Sequence, residues 1–367
     1  MAKNIKKRSA SHIYFGVNKL TGELKHISEV PSGQKCNCIC AACLQPFEAR
    51  KGTRRRHHFA HVSNYECMYA SEVAIYKAIA EALKQSGFLT LPPVMLRFPA
   101  WHDPELLQEA RRLKIDSVAF ECEPLSYPPL LRVTMQGTPL RILLDFDRYY
   151  DDDDRVELAE EAKVEDYSLL LISMPKIEQD TEFTPDRLQS VLQDNDRTEW
   201  VFSRLEEQWK QKYYAVAVSP PEHGTGNLCP ISFGKYKGKY SARWIDCAHC
   251  HFNVAQPPCC LCVAGAGIQK KEDFKRDLQD RLFDIDKIRR TNEEEIRLRE
   301  VRERSFERRS VYPRPTPYAA RPVVPAGPTQ EDLDAEYIRI CQSYDPTSDE
   351  WTVDRYNRRW IMCTVCG

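Results

Sequence analysis

Apolar residues recur at three- and four-residue spacing from Val73 to Leu83, and Ser71-Glu72 stands just before them as an N-cap signal, which predicts a helix. Four short strand-like runs follow, at Val94 to Phe98, Ser117 to Cys122, Leu130 to Met135 and Leu140 to Phe146. The last two flank Gln136-Gly137-Thr138-Pro139 and predict a hairpin. A helical pattern over Val156 to Val164, the apolar run Leu169-Leu170-Leu171-Ile172 and a second helical pattern from Pro185 to Gln193 come next. Together they predict an α/β unit, a mixed sheet with flanking helices.

Beyond Gly267 the pattern changes. Lys270 to Arg309 interleaves acids with bases, including Glu293–Arg297, Glu295–Arg299 and Glu300–Arg304 at the favourable four-residue spacing, and predicts a long solvated helix. Prolines 313, 315, 317, 322, 325 and 328 then favour an extended linker, and a short helix near Gln330 to Tyr344 leads to the terminal Cys363 and Cys366.

Composition narrows the class. The chain has 367 residues, 42% apolar and 29% charged, with 53 bases against 54 acids. That length suits two or three folded units and excludes a disordered or collagen-like chain. The near-zero net charge removes a global electrostatic argument for nucleic-acid binding, so only local patches can support one. No apolar run of membrane-spanning length occurs, and the basic start, Met1 to Ala10, lacks a following hydrophobic stretch. These features predict a cytoplasmic protein without a membrane span, in which clustered thiols bind metal more often than they form disulfides.

The 15 cysteines fall into groups. Cys40-x-x-Cys43, His58, His61 and Cys67 supply the thiolates and imidazole of a tetrahedral zinc site. The most economical set is Cys40, Cys43, His61 and Cys67, with His58 as the alternative imidazole; Cys36 and Cys38 offer an alternating register that could replace Cys40. Cys229, Cys247 and Cys250, with Cys259, Cys260 or Cys262, repeat the logic in a segment too short for its own core, so a second structural Zn2+ is expected there. Cys363 and Cys366 could complete that site if the charged helix folds back. No phosphate-binding Gly-x-x-x-x-Gly-Lys-Ser/Thr loop is present.

Cys40-x-x-Cys43, Arg50-Lys51-Gly52-x-x-Arg55, His58-Phe59-Ala60-His61, Cys67 and Ser71-Glu72 together resemble the start of the competence protein CoiA-like family. The resemblance continues to about Trp200. It implies a zinc-ribbon-like segment before a PD-(D/E)xK, restriction-endonuclease-like nuclease domain, whose acids at one end of a central hairpin hold Mg2+ or Mn2+. On that pattern Asp145 is the metal-binding acid and Asp147 stands where a Lys or other polar residue is expected. Leu130 replaces the first metal-binding Asp, and leucine cannot ligate a metal. Asp116 and Glu72 are the acids that could compensate; Tyr76 replaces an expected His, and Lys77 and Lys163 are the surrogate lysines.

Arg50, Lys51, Arg54, Arg55, Arg56 and His57 form a compact basic patch beside the zinc loop, suited to DNA phosphates. The expected organisation is a zinc-binding segment at 1–70, a restriction-endonuclease-like core at 71–215, a second zinc-ribbon-like segment at 216–267, a charged helix at 268–311, a Pro-rich linker at 312–329 and a C-terminal helix with the Cys pair at 330–367. The expected function is a DNA-processing protein with a degraded nuclease site. The alternative is a non-catalytic zinc-dependent adaptor that recruits a protein partner through its helical arm.

Overall fold

The computed structural model describes residues 12–63, 67–124, 127–146, 150–175, 182–257 and 259–305, and the backbone of 306–310, 351–353 and 359–361. The Pro-rich linker, the expected helix at 330–344, Asp147, Cys363 and Cys366 lie outside the described residues. The chain divides into two units, Met1–Val301 and Arg302–Gly367. The described part of the second holds the end of a long helix and an antiparallel pair, Trp351–Val353 with Arg359–Ile361.

The first unit opens with β1 (Phe15–Asn18), β2 (Leu24–His26) and β3 (Cys38–Ile39), paired in the order β2-β1-β3. The hairpin β4 (Phe47–Arg50) and β5 (His58–His61) follows. Helix α1 (Ala70–Ser86) is buried along most of its length, with Val73, Tyr76, Ile79 and Leu83 inaccessible. Its N-cap is Tyr69, not Ser71; Ser71 lies inside the first turn and donates its hydroxyl to the His12 carbonyl at 3.5 Å.

Next come β6 (Phe88–Leu91), β7 (Val94–Leu96), β8 (Glu105–Gln108) and β9 (Arg111–Lys114), in which β6 pairs with β9 and β7 with β8. The main sheet contains β10 (Ser117–Glu121), β11 (Leu130–Met135) and β12 (Thr138–Asp145) as an antiparallel meander. Gln136 and Gly137, both at positive φ, make the two-residue turn whose twist matches its flanking strands. Helix α2 (Asp152–Val164) crosses over to β13 (Ser168–Ser173), which lies parallel to β12. The acidic run at 151–154 starts α2: Asp151 caps the helix by accepting from the Asp154 amide at 2.9 Å. Helix α3 (Pro185–Gln193) and β14 (Thr198–Phe202) complete the order β10-β11-β12-β13-β14.

Alternation divides the sheet between two cores. Leu131, Val133, Ile142, Leu144, Leu170 and Ile172 join α1, α3 and the N-terminal strands in one cluster. On the opposite face Leu143, Leu169 and Leu171 pack with Ala162 of α2. Residues 169–172 are thus apolar at every position because both faces are covered. The N-terminal segment and the sheet share one core.

A further core lies beyond the sheet. Helix α4 (Arg204–Val216) is followed by β15 (Glu222–His223), β16 (Gly226–Leu228), β17 (Lys235–Tyr236), β18 (Lys239–Arg243) and the short α5 (Trp244–Ala248). Tyr213 of α4, Leu96 and Phe98 from the β7 region, Phe252, Val254, Cys262 to Ala264, and Ile285 of α6 (Leu278–Ser310) form it. The expected strand at Val94 to Phe98 therefore exists, but outside the main sheet. The segment 216–267 does not lack a core; it shares one with elements before and after it.

Helix α6 begins at Leu278 rather than Lys270, because Asp273 accepts from the Gln269 and Lys270 amides and closes a separate turn. Its acids also turn inward more than expected. Glu293 accepts from the Ser232 hydroxyl at 2.7 Å, Glu300 pairs with Lys235 at 3.0 Å, and Arg297 pairs with Glu294 instead of Glu293.

Candidate metal centre and the strand end at Asp145

Three segments bring the first group of ligands together. After β3 the chain turns at Cys40 to Gln45, where the Cys40 amide donates to the Gln45 carbonyl, the Leu44 amide donates to the Cys40 carbonyl, and Leu44 takes a left-handed conformation. This places Cys40 and Cys43 on one side of a tight turn. Strand β5 supplies His61, whose ring meets Phe47 edge-on with centroids 4.8 Å apart. Cys67 precedes α1 and accepts from the Tyr69 amide.

The ligand atoms of Cys40, Cys43, His61 and Cys67 all lie within 4.8 Å of one another. Cys43 Sγ is 3.2 Å from His61 Nε2. Bonds of about 2.3 Å from a tetrahedral ion to sulfur imply ligand separations of roughly 3.8 Å, so a small contraction would close the site on zinc. The donor set fits: three soft thiols and one imidazole, with few alternatives for a hard cation. Amides of Ala42 and Cys43 point at the Cys40 sulfur and that of Gln45 at Cys43. Such donors stabilise thiolates.

The electrostatics agree. The hydrogen bond from Cys40 lowers the Cys67 thiol to about 6 and, together with burial, raises Cys40 itself. Burial raises Cys43 and lowers His61, so the imidazole is neutral and can offer a lone pair near pH 7.

His58 is not in the cluster. It lies on the same strand as His61 but an odd number of residues away, so its side chain takes the other face. There its Nδ1 meets the Arg56 carbonyl at 2.8 Å and its ring stands edge-on to His12. Cys36 and Cys38 are also excluded: each is buried and donates to a backbone carbonyl, of Phe47 and Cys36 respectively, and burial pushes Cys38 up to about 12.

The basic patch splits by environment. Arg50 is held by Glu48 at 2.7 Å, and the Lys51 ammonium donates to the carbonyls of Ser28 and Val30. Arg54, Arg55, Arg56 and His57 are exposed in the β4–β5 loop.

Asp145 ends the central strand β12 and is only 4% exposed. Arg155 of α2 approaches its carboxylate at 3.9 Å while holding Glu199 at 2.6 Å. Leu130, at the start of β11, is half-buried at the same end of the hairpin. Asp116 lies at the opposite end, where its carboxylate accepts from the Gly137 amide at 3.0 Å, so it cannot share an ion with Asp145. Glu72 is buried on the first turn of α1 beside the thiol cluster, where it acts on Cys67. Lys77 lies over the Phe120 ring and Lys163 pairs with Glu207, so both lysines are engaged elsewhere. Among the described residues no cluster of three metal-binding groups forms at Asp145. Among the described residues, one carboxylate facing a guanidinium does not make a Mg2+ or Mn2+ site.

Sequence reasoning missed Arg155, which carries no motif. It also missed the use of Tyr76, whose hydroxyl accepts from the Leu144 amide at 2.7 Å and fastens α1 to β12 beside Asp145.

Among the second group, Cys229, Cys247, Cys250, Cys260 and Cys262 line one small cavity. They are more widely spaced than the first four; the Cys40 group is the one cluster within 4.8 Å among the described residues. No helix is long and apolar enough to cross a membrane among those residues. No family model, curated protein or solved structure matches the chain.

Proposed function

We propose that this is a zinc-bearing nucleic-acid-binding protein of the CoiA-like, restriction-endonuclease-like type, in which the nuclease site has lost its metal. The observation that carries the reading is the adjacency of three parts. The Cys40, Cys43, His61 and Cys67 centre lies at the start of α1, the exposed loop 54–57 joins the strand that supplies His61, and α1 packs on the meander ending at Asp145. The mixed order, an antiparallel three-stranded meander with a helical crossover to a parallel fourth strand, supports the same fold family.

In this reading Arg54, Arg55 and Arg56 contact phosphates, and zinc holds their loop against the core. The buried pairing of Asp145 with Arg155, together with Leu130, removes the cation site. The protein binds DNA in the cytoplasm without cutting it.

The test measures binding of single- and double-stranded oligonucleotides by fluorescence anisotropy, and their cleavage with Mg2+ or Mn2+. Binding that weakens on Arg54→Ala and Arg55→Ala, without cleavage, supports the reading. Equal affinity in both variants overturns the interface, and cleavage abolished by Asp145→Ala overturns the loss of catalysis.

An adaptor role has one observation in its favour. Helix α6 exposes Leu278, Leu282, Phe283, Leu298 and Val301 between its charges, a surface suited to a protein partner.

A further inference from the structure

Two loops of the second core converge on a cavity of about 30 Å³ lined by five thiols. One segment carries Cys247 at the end of α5 and Cys250 just after it, and the other carries Cys260 and Cys262. The buried Asn253 side chain sews them together. Its Nδ2 donates to the Cys247 and Cys259 carbonyls at 3.0 and 3.2 Å, and its Oδ1 accepts from the Ala255 and Leu261 amides, both at 3.0 Å. Cys229 enters from the turn after β16.

These sulfurs share the surroundings of the first centre. There, Cys40, Cys43 and Cys67 each accept from the amide two residues ahead, at Ala42, Gln45 and Tyr69. Cys229, Cys250 and Cys262 repeat that arrangement with Ile231, Phe252 and Ala264. Cys247 instead receives the Asn227 carboxamide at 3.6 Å. Among Cys229, Cys247, Cys250 and Cys262, every sulfur lies close enough to interact electrostatically with the other three. Cys260 hydrogen-bonds to Cys247 and stands as a fifth thiol beside that set.

Ordinary core cysteines donate to carbonyls, as Cys36 and Cys38 do. Sulfurs that collect amide donors are instead prepared to carry negative charge. Four such sulfurs around a cavity about the size of a water molecule match the needs of a soft divalent ion.

We infer that Cys229, Cys247, Cys250 and Cys262 form a second, all-thiolate zinc site. On binding, Zn2+ gains four sulfur ligands and the thiol protons pass to solvent, so the three segments around the cavity contract onto the ion. The site is independent of the DNA-binding reading and stands or fails without it.

The test is zinc content of the purified full-length protein, with its variants. The wild type is expected to hold two zinc ions per chain. Cys40→Ser/Cys43→Ser and Cys229→Ser/Cys250→Ser should each hold one, Cys262→Ser should hold one, and Cys260→Ser should keep two. A single zinc in the wild type, or two in the Cys229→Ser/Cys250→Ser protein, overturns the site. Two zincs in Cys262→Ser with one in Cys260→Ser overturns the ligand set. Cobalt titration of the wild type needs no variant: two binding steps are expected, one with the stronger thiolate charge-transfer band of four sulfurs. One step of three-sulfur intensity would refute the inference even if every variant failed to fold.

Discussion

Arg155 stands 3.9 Å from Asp145, so the buried carboxylate at the end of the central strand already has a cation beside it, and that cation belongs to the protein. A metal would have to displace a guanidinium that also holds Glu199. Replacing Arg155 by Met should therefore lower stability by about 1–3 kcal/mol, because the charge of Asp145 is left with less compensation. Asp145→Asn in the Arg155→Met background should recover part of that loss. Urea denaturation of the wild type and both variants checks this, and equal midpoints for the wild type and Arg155→Met would show that the pair does not stabilise the fold.

If the Cys40 centre holds zinc, its removal should loosen β4, β5 and the start of α1 together. A chelator, or Cys43→Ser, is expected to lower the thermal midpoint by the equivalent of at least about 3 kcal/mol, the linkage contributed by a ligand well above its dissociation constant. Differential scanning calorimetry with and without added zinc measures it. A midpoint indifferent to chelation would mean that the thiols act as core residues alone.

The two halves of the basic patch should respond differently. If the exposed loop binds DNA as proposed, Arg55→Ala removes a phosphate contact and should reduce the slope of log affinity against log salt by about 0.9 for duplex DNA. Lys51→Ala should leave that slope intact and weaken the fold by about 1 kcal/mol, because its ammonium serves the Ser28 and Val30 carbonyls. If Lys51→Ala lowers the salt slope as Arg55→Ala does, the division is wrong.

His26 gives a pH dependence with a defined sign. Burial lowers its pKa below the ordinary 6.5, so the folded state binds a proton less readily than the unfolded chain. Stability from this group is fully present above about 6.5 and declines as the pH falls toward the depressed folded value. His26→Gln should flatten the fall in thermal midpoint below pH 6.5. Parallel curves for the two proteins would assign the loss to other histidines.

The sequence made some of this legible for physical reasons. The apolar run 169–172 marks a strand covered on both faces, and Gln136-Gly137 marks a turn that needs positive φ. The Cys40, Cys43, His61 and Cys67 set was readable from spacing, and strand alternation separates His61 from His58. Helix α4 was missed although Ser203 and Glu206 announce it; the Ser203 hydroxyl accepts from the Glu206 amide at 3.4 Å. Its buried residues are too few among charges to register as a stripe. Strand β7 could be recognised, but nothing local indicates that Leu96 belongs with Tyr213 and Phe252 rather than the main sheet. The position of Asp116 also depends on register, which places it at the turn end of the hairpin.

The path of the chain through its two larger cores limits how the protein can be dissected. Residues 94–108 leave the sheet region to join Tyr213 and Phe252, and the chain then returns to build β10 through β14. A fragment ending after α4 would keep Leu96, Phe98 and Tyr213 while discarding the apolar residues that cover them. A fragment beginning after α4 would carry Phe252, Val254 and Ile268 with nothing to close over them. Neither piece is a natural module for expression, and a protease nick in that interval should leave two halves that stay associated until denatured.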